Sequence, residues 1–167
     1  DRNGVRGIDR YRATLAHMAA HKRWSGQTVA DNFSPFQRIA IELFEDCRVE
    51  QLAMRLYPGL RHLWLALHPN PGEDCDPARE SCIRHRLAML SRAILDPGHG
   101  YRHPDILEFV ERFRGLLAQG ESSTPDMVDL GLAFIARTRR QQDQMARVYF
   151  RDTEVDYRDD NRHLWRF

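Results

Sequence analysis

Apolar residues recur three and four positions apart through most of this chain, and each such stretch is cut by proline or glycine. That spacing is the period of a helix with one buried face, so the chain is constrained to helices joined by short loops. From about Ile8 to Trp24, Ile8, Tyr11, Leu15 and Met18 form one stripe, which predicts a first helix packed through them. Ser34 and Pro35 read as an N-cap and first helical residue. A second stripe follows them through Phe36, Ile39, Ala40, Leu43 and Cys47 to Tyr57, where Pro58-Gly59 stops it. Leu60 to Leu67 reads as a turn or two of core helix, and 69–77 as a loop. Asp76-Pro77 is expected to cap a third long helix carrying Ile83, Leu87, Leu90 and Ile94, broken at Asp96-Pro97-Gly98. His103-Pro104 opens a fourth, ending at Gly120, and Thr124-Pro125-Asp126 a fifth, running into the polar stretch Arg137 to Gln144.

The fold class is therefore all-α: a multi-helix, bundle-like domain. Residues 1–10 are expected to be a poorly defined N-terminal segment, 11–147 the helical domain, and 148–167 a short extended C-terminal segment leaving the bundle. In that last segment Phe150, Thr153, Val155 and Tyr157 mix strand formers with five acids between Asp152 and Asp160. No internal repeat or low-complexity tract interrupts the pattern.

At 167 residues, 42% hydrophobic and 29% charged, the chain suits one soluble domain. Its 25 basic and 24 acidic side chains nearly cancel, which argues against the basic surface that nucleic-acid binding needs. No apolar run approaches the roughly 20 residues of a bilayer span. The chain starts at Asp1 rather than Met, as expected of a piece of something longer. One lysine, Lys22, stands against 24 arginines. A GC-rich coding bias explains that, as does a use for arginine's planar fork in pairing carboxylates at an interface. Three cysteines with no Cys-x-x-Cys spacing fit a reducing cytoplasm. Cys47 is expected in the core, and Cys75 and Cys82 flank a turn-rich stretch without forming a structural disulfide.

The sharpest chemical signal is His17-Met18-Ala19-Ala20-His21. Two imidazoles at i and i+4 project from one helix face and can share a tetrahedral metal such as zinc, as in the His-Glu-x-x-His helix of zinc peptidases. Met18 stands where the general-base glutamate would be, so hydrolysis by that route is not expected. Further ligands are sought on the second helix, in Glu45 and Asp46, giving a degenerate zincin-like site of His17, His21, Glu45 and Asp46. The competing reading makes the histidines polar partners in a helix interface, with the acids paired to Arg38, Arg48 or Arg55. Glu42 and Glu50 in the same acidic cluster, with Arg137, Arg139, Arg140 and Arg147 at the end of the fifth helix, are candidates for a partner surface; solvated or ion-paired faces are the alternative. Asp152, Glu154 and Asp156 alternate like one side of a strand, but interleaved Arg151, Arg158 and Arg162 favour simple ion pairing. His62, His68, His85 and His163 are scattered without ligand spacing, and His99 and His103 are read as capping or packing. No nucleophile elbow, phosphate loop or dinucleotide fingerprint occurs.

The strings HMAAHKRW, NFSPFQRIAIELFEDCRVEQLAMRLYPGLRHLWLALHP, RHRLAMLSRAILDPGHGYRHP and FRDTEVDYRDDNRHLW resemble the region upstream of the von Willebrand factor A domain in CbbO and NorD proteins. The resemblance runs from about Tyr11 onward, and the segment RHRLAMLSRA is more similar to CbbO. It implies an adaptor rather than an enzyme. Such proteins work with MoxR-class AAA+ ATPase hexamers: CbbO couples the CbbQ ring to Rubisco for release of inhibitory sugar phosphates, and NorD supports activation of nitric oxide reductase. The family's metal-dependent adhesion motif, Asp-x-Ser-x-Ser, is absent from these residues, so no adhesion-site ligand or ATPase residue carries over. The C-terminal segment would lead towards a von Willebrand factor A domain not contained here. A peptidase-like helical domain in related proteins implies a zincin-like scaffold, with peptidase activity set against Met18.

Overall fold

The computed structural model describes residues 4–30, 32–77, 81–141, 143 and 153–167. Among them are six α-helices: α1 (Gly7–Trp24), α2 (Pro35–Leu56), α3 (Leu60–Leu67), α4 (Cys82–Leu95), α5 (Pro104–Ala118) and α6 (Thr124–Thr138). Two strands of two residues each, β1 (Thr28–Val29) and β2 (Trp165–Arg166), pair in parallel, Thr28 with Trp165 and Val29 with Arg166. The all-α reading holds, and no helix among the described residues is long and apolar enough to cross a membrane.

Local signals place several of these ends. Ser34 accepts a hydrogen bond from the Gln37 N–H, and the Gln37 side chain accepts one from the Ser34 N–H, a reciprocal cap with Pro35 at the first turn. His103 caps α5 by accepting from the Asp105 N–H. Two ends differ from expectation. Helix α4 starts at Cys82, with Ser81 at its N-cap, rather than at Asp76-Pro77. Helix α6 stops at Thr138, where Arg139 turns extended, instead of running to Gln144. The Cα atoms of Cys75 and Cys82 lie 5.7 Å apart, and the two form a disulfide that their spacing did not predict. Cys47 is buried and free, as expected.

Helix α2 is the hub. It lies against α1, α3, α4 and α6, and 13 of its 22 residues are buried. On its α6 side Gly131 meets Ile41 so closely that a Cβ built on the glycine would lie 2.7 Å from Ile41 Cγ1 and 2.8 Å from the Ile41 backbone nitrogen. The missing side chain therefore sets the α2–α6 spacing. Phe44, Phe109, Phe113 and Phe134 fill the centre between α2, α5 and α6, with ring centroids 5.1–6.4 Å apart.

Helix α1 is present where expected but turned about its axis. Ile8, Tyr11, Leu15 and Met18, the stripe predicted to be inward, are 46–64% exposed. The buried face is Ala13, His17, Ala20 and His21. The two alanines allow close approach to the neighbouring helices, and the imidazoles meet carboxylates of α2, so a small and polar face packs inward. A second core joins this face to Trp64 of α3 and to Tyr157. Trp64 is fully buried, donates its Nε1–H to the Ala13 carbonyl at 3.1 Å and stacks on Tyr157.

The C-terminal segment is short, but over 153–167 it lies across α1 and α2 rather than leaving them. Tyr157, Asn161, Leu164 and Trp165 are buried, and Asn161 turns the chain with φ 56°. Asparagine is among the residues that accept that left-handed conformation. The part of this segment at 148–152, with Arg151 and Asp152, and the domain boundary at 147 lie outside the described residues.

Candidate functional site

Helix α2 carries two buried acidic faces. Its residues turn by about 100° each, so Glu45 and Asp46, adjacent in sequence, face different neighbours. Glu45 does not join the histidines, which corrects its assignment as a metal ligand. It pairs instead with Arg48, whose Nε donates to Glu45 Oε1 at 2.5 Å, and it accepts the Thr124 hydroxyl. The Arg48 guanidinium also donates to the Trp24 carbonyl at 2.7 Å and the Glu121 carbonyl at 3.1 Å. This pair realises, for Glu45, the reading in which the acids of α2 pair with its arginines.

The α1 side is different. His17 and His21, one helical turn apart, stand with ring centroids 4.6 Å from each other. Both Nε2 atoms approach one oxygen of Asp46, Oδ1, at 3.2 Å from His17 and 2.8 Å from His21. The other ring nitrogens face outward partners: His17 Nδ1 lies 3.1 Å from Glu50 Oε2, and His21 Nδ1 lies 2.8 Å from the Ser25 hydroxyl. Asp46 Oδ2 accepts from the Asn161 side-chain amide at 3.2 Å. His17, His21 and Asp46 offer one donor atom each within 4.8 Å of one another.

Glu50, expected on a partner surface, is 1% exposed. The fork of Arg158 clamps it, Nε to Oε2 at 2.7 Å and Nη2 to Oε1 at 3.0 Å, and the Tyr157 hydroxyl adds a third donor at 3.2 Å. Burial would raise the Glu50 pKa, but the Arg158 charge and His17 hold it at about 2. Burial likewise opposes ionisation of Asp46, but His17 and His21 beside it, with the Arg158 charge, hold it well below the usual carboxylate range. For His17 burial favours the neutral ring, yet Asp46 and Glu50 together lift its pKa to about 9. His17 thus lies between two carboxylates, with Arg158 as the cation on Glu50.

His163, expected to be isolated, is brought to this cluster by the single 3-10 turn Arg162–Leu164. Its ring meets His21 edge-on at 4.6 Å, and His21, Asp159 and His163 make a second group of convergent donor atoms. Asn161 and His163 had no signal in the sequence, and Arg158, expected to pair with the acids around it, pairs with Glu50 instead, because only the return of the C-terminal segment places them here. His68, by contrast, is a core residue: Nδ1 donates to the Pro69 carbonyl and Nε2 meets the Ser91 hydroxyl at 2.7 Å. Burial lowers its pKa to about 3, so it stays neutral.

A cleft of about 450 Å³ opens beside the seam, lined among others by Glu42, Asp46, Arg84, Glu154, Arg158 and Asn161. Glu42 is half-buried and accepts the Trp165 indole N–H at 2.6 Å. Burial pushes its pKa up to about 7. The arginine candidates are elsewhere. Arg137 is exposed and pairs with Glu108 at 2.8 Å, Arg139 covers the Phe36 ring at 4.2 Å, and Arg140 is exposed; Arg147 lies outside the described residues. The structure thus groups Arg137, Arg139 and Arg140 at the end of α6, and does not bring them to Glu42 or Glu50. Met18, in the place of a general base, points outward and is 48% exposed. No protein-family model, curated protein or solved structure matches the chain.

Proposed function

We propose that this is a non-enzymatic adaptor domain of a AAA+ remodelling complex in the cytoplasm, most similar in role to CbbO, which couples a CbbQ-type MoxR-class hexamer to Rubisco. The observation that carries the reading is the outward stripe of α1. Ile8, Tyr11, Leu15 and Met18 are separated by three, four and three residues, the spacing by which one helix docks along another, and all four face away from the domain's own core. The exposed Met18 supports a binding role over hydrolysis, since no acid occupies the general-base place beside His17. Arg137, Arg139 and Arg140 add an exposed basic group suited to an acidic partner surface.

Co-purification of the full chain with a MoxR-class ATPase tests the proposal. A Leu15→Glu/Met18→Glu variant is expected to fold normally and to lose at least ~10-fold in ATPase binding, since each position is a central apolar contact of the docked stripe. Unchanged binding by the folded variant, or no binding by the unaltered chain, overturns it. Adding Rubisco or nitric oxide reductase to the assembled complex then separates a CbbO role from a NorD role.

A further inference from the structure

We infer that His17, His21 and Asp46 form a zinc site that ties α1 to α2, with Asn161 of the C-terminal segment bonded to its carboxylate. The inference stands apart from the adaptor reading and rests on how the donor atoms are aimed. Zinc binds imidazole nitrogen and carboxylate oxygen at about 2.0–2.2 Å, so adjacent donors of a tetrahedral site lie about 3.3 Å apart. The 3.2 and 2.8 Å separations from the two Nε2 atoms to Asp46 Oδ1 are close to such tetrahedral edges.

The outward contacts follow the same plan. Metal-bound histidines characteristically turn their second nitrogen to a carboxylate, hydroxyl or carbonyl that fixes ring orientation. Here Glu50 faces Nδ1 of His17, Ser25 meets Nδ1 of His21, and Asn161 holds the second Asp46 oxygen. The Ser25 contact sets the His21 ring with Nε2 directed inward, and His17 Nε2 faces the same Asp46 oxygen.

A second, independent observation is the state of His17. It is completely buried, and although carboxylate oxygens lie near both ring nitrogens, neither nitrogen is in hydrogen-bonding geometry with them. A buried imidazole left without aligned partners is costly, and a cation at the convergence point supplies the missing partner. Two imidazoles and one carboxylate suit zinc better than magnesium or calcium, which favour all-oxygen sets. His163 meets His21 edge-on and converges with His21 and Asp159, apart from this donor set. Met18 follows His17 where the general-base glutamate of a zinc peptidase would stand, so the role assigned to the ion is structural.

The test is metal titration of the purified full chain after chelation, with zinc(II) and with cobalt(II) as a spectroscopic substitute. The expected result is one equivalent bound, with a cobalt ligand-field spectrum of four-coordinate nitrogen and oxygen donors and no thiolate bands. His17→Ala, His21→Ala and Asp46→Asn are each expected to abolish uptake. Ser25→Ala, which leaves every ligand in place, is expected to weaken binding by about 10- to 100-fold. A Cys75→Ser/Cys82→Ser variant is expected to bind as the unaltered chain does. Because ligand variants can fail to fold, the spectrum of the unaltered chain and the Ser25→Ala affinity carry the decision. Absence of stoichiometric zinc or cobalt in the folded chain, thiolate bands in the spectrum, or unchanged affinity in Ser25→Ala overturns the site.

Discussion

Glu45 and Asp46 are neighbours on α2, both buried, and they sit in opposite kinds of surroundings. Around Glu45 the donors and acceptors are matched: Arg48 pairs with both carboxylate oxygens, Thr124 adds a hydroxyl, and the rest of the guanidinium is spent on the Trp24 and Glu121 carbonyls. Around Asp46 the aims converge without matching: two rings approach one oxygen, and His17 aligns with neither of its carboxylates. A saturated cluster fixes helices in place and has no remaining capacity for a ligand. A convergent, unmatched one retains it. Burial and charge alone do not distinguish the two; directionality does.

The contrast breaks most visibly at Arg48. Arg48→Ala strands a buried carboxylate and is expected to cost about 3–5 kcal/mol of unfolding free energy in denaturant melts, equally with and without zinc. An added dependence on zinc would show that the two clusters are not separate. On the Asp46 side the expected response depends on the metal. Free zinc at 100 times its Kd should stabilise the unaltered chain by ~2.7 kcal/mol in thermal melts, while folded His17→Ala shows no zinc-induced shift.

A smaller effect is expected at Glu42, on the rim of the cleft. Its pKa is raised to about 7 from an ordinary 4.5, so between those values the folded state keeps a proton that the unfolded chain has lost. Stability should therefore fall as pH rises through that window. Glu42→Gln, whose amide oxygen can still accept the Trp165 N–H, removes this slope. The variant should match the unaltered chain near pH 4.5 and exceed it by on the order of 2 kcal/mol at pH 8, measured by urea unfolding. The smallest effect is predicted for Met18→Gln. Although Met18 lies beside His17 in sequence, it is on the exposed face, so stability should change by no more than ~0.5 kcal/mol and zinc uptake not at all.

What the sequence made legible was local. The Ser34-Pro35 cap with Gln37, and the His103-Pro104 start of α5, act within one turn and were readable as such. The paired histidines and an acidic partner on the next helix were readable too, because i and i+4 share a face. Which face of α1 turned inward was not. An apolar stripe predicts burial only when the opposite face lacks partners of its own, and here Asp46 and Glu50 supply them across the interface. The choice between Glu45 and Asp46 depended on the rotation of α2 against α1, which no residue of α2 encodes alone. Glu50 was misplaced to the surface for the same reason: its counterion Arg158 comes from the far end of the chain. The Cys75–Cys82 bond shows the limit of spacing rules where two thiols meet outside any recognised motif.

The pairing of β1 with β2 also sets a timetable. Thr28 and Trp165 come from distant parts of the chain, so their contact closes a long loop and carries a large entropic cost of closure. Helices α1 and α2 can meet early, through a short connection, and bring His17, His21 and Asp46 together. Asn161 and His163 arrive only when the last segment settles. Stopped-flow refolding should therefore separate helix formation from completion of the cluster, and the second, slower phase would report the moment at which the chain's two ends find each other.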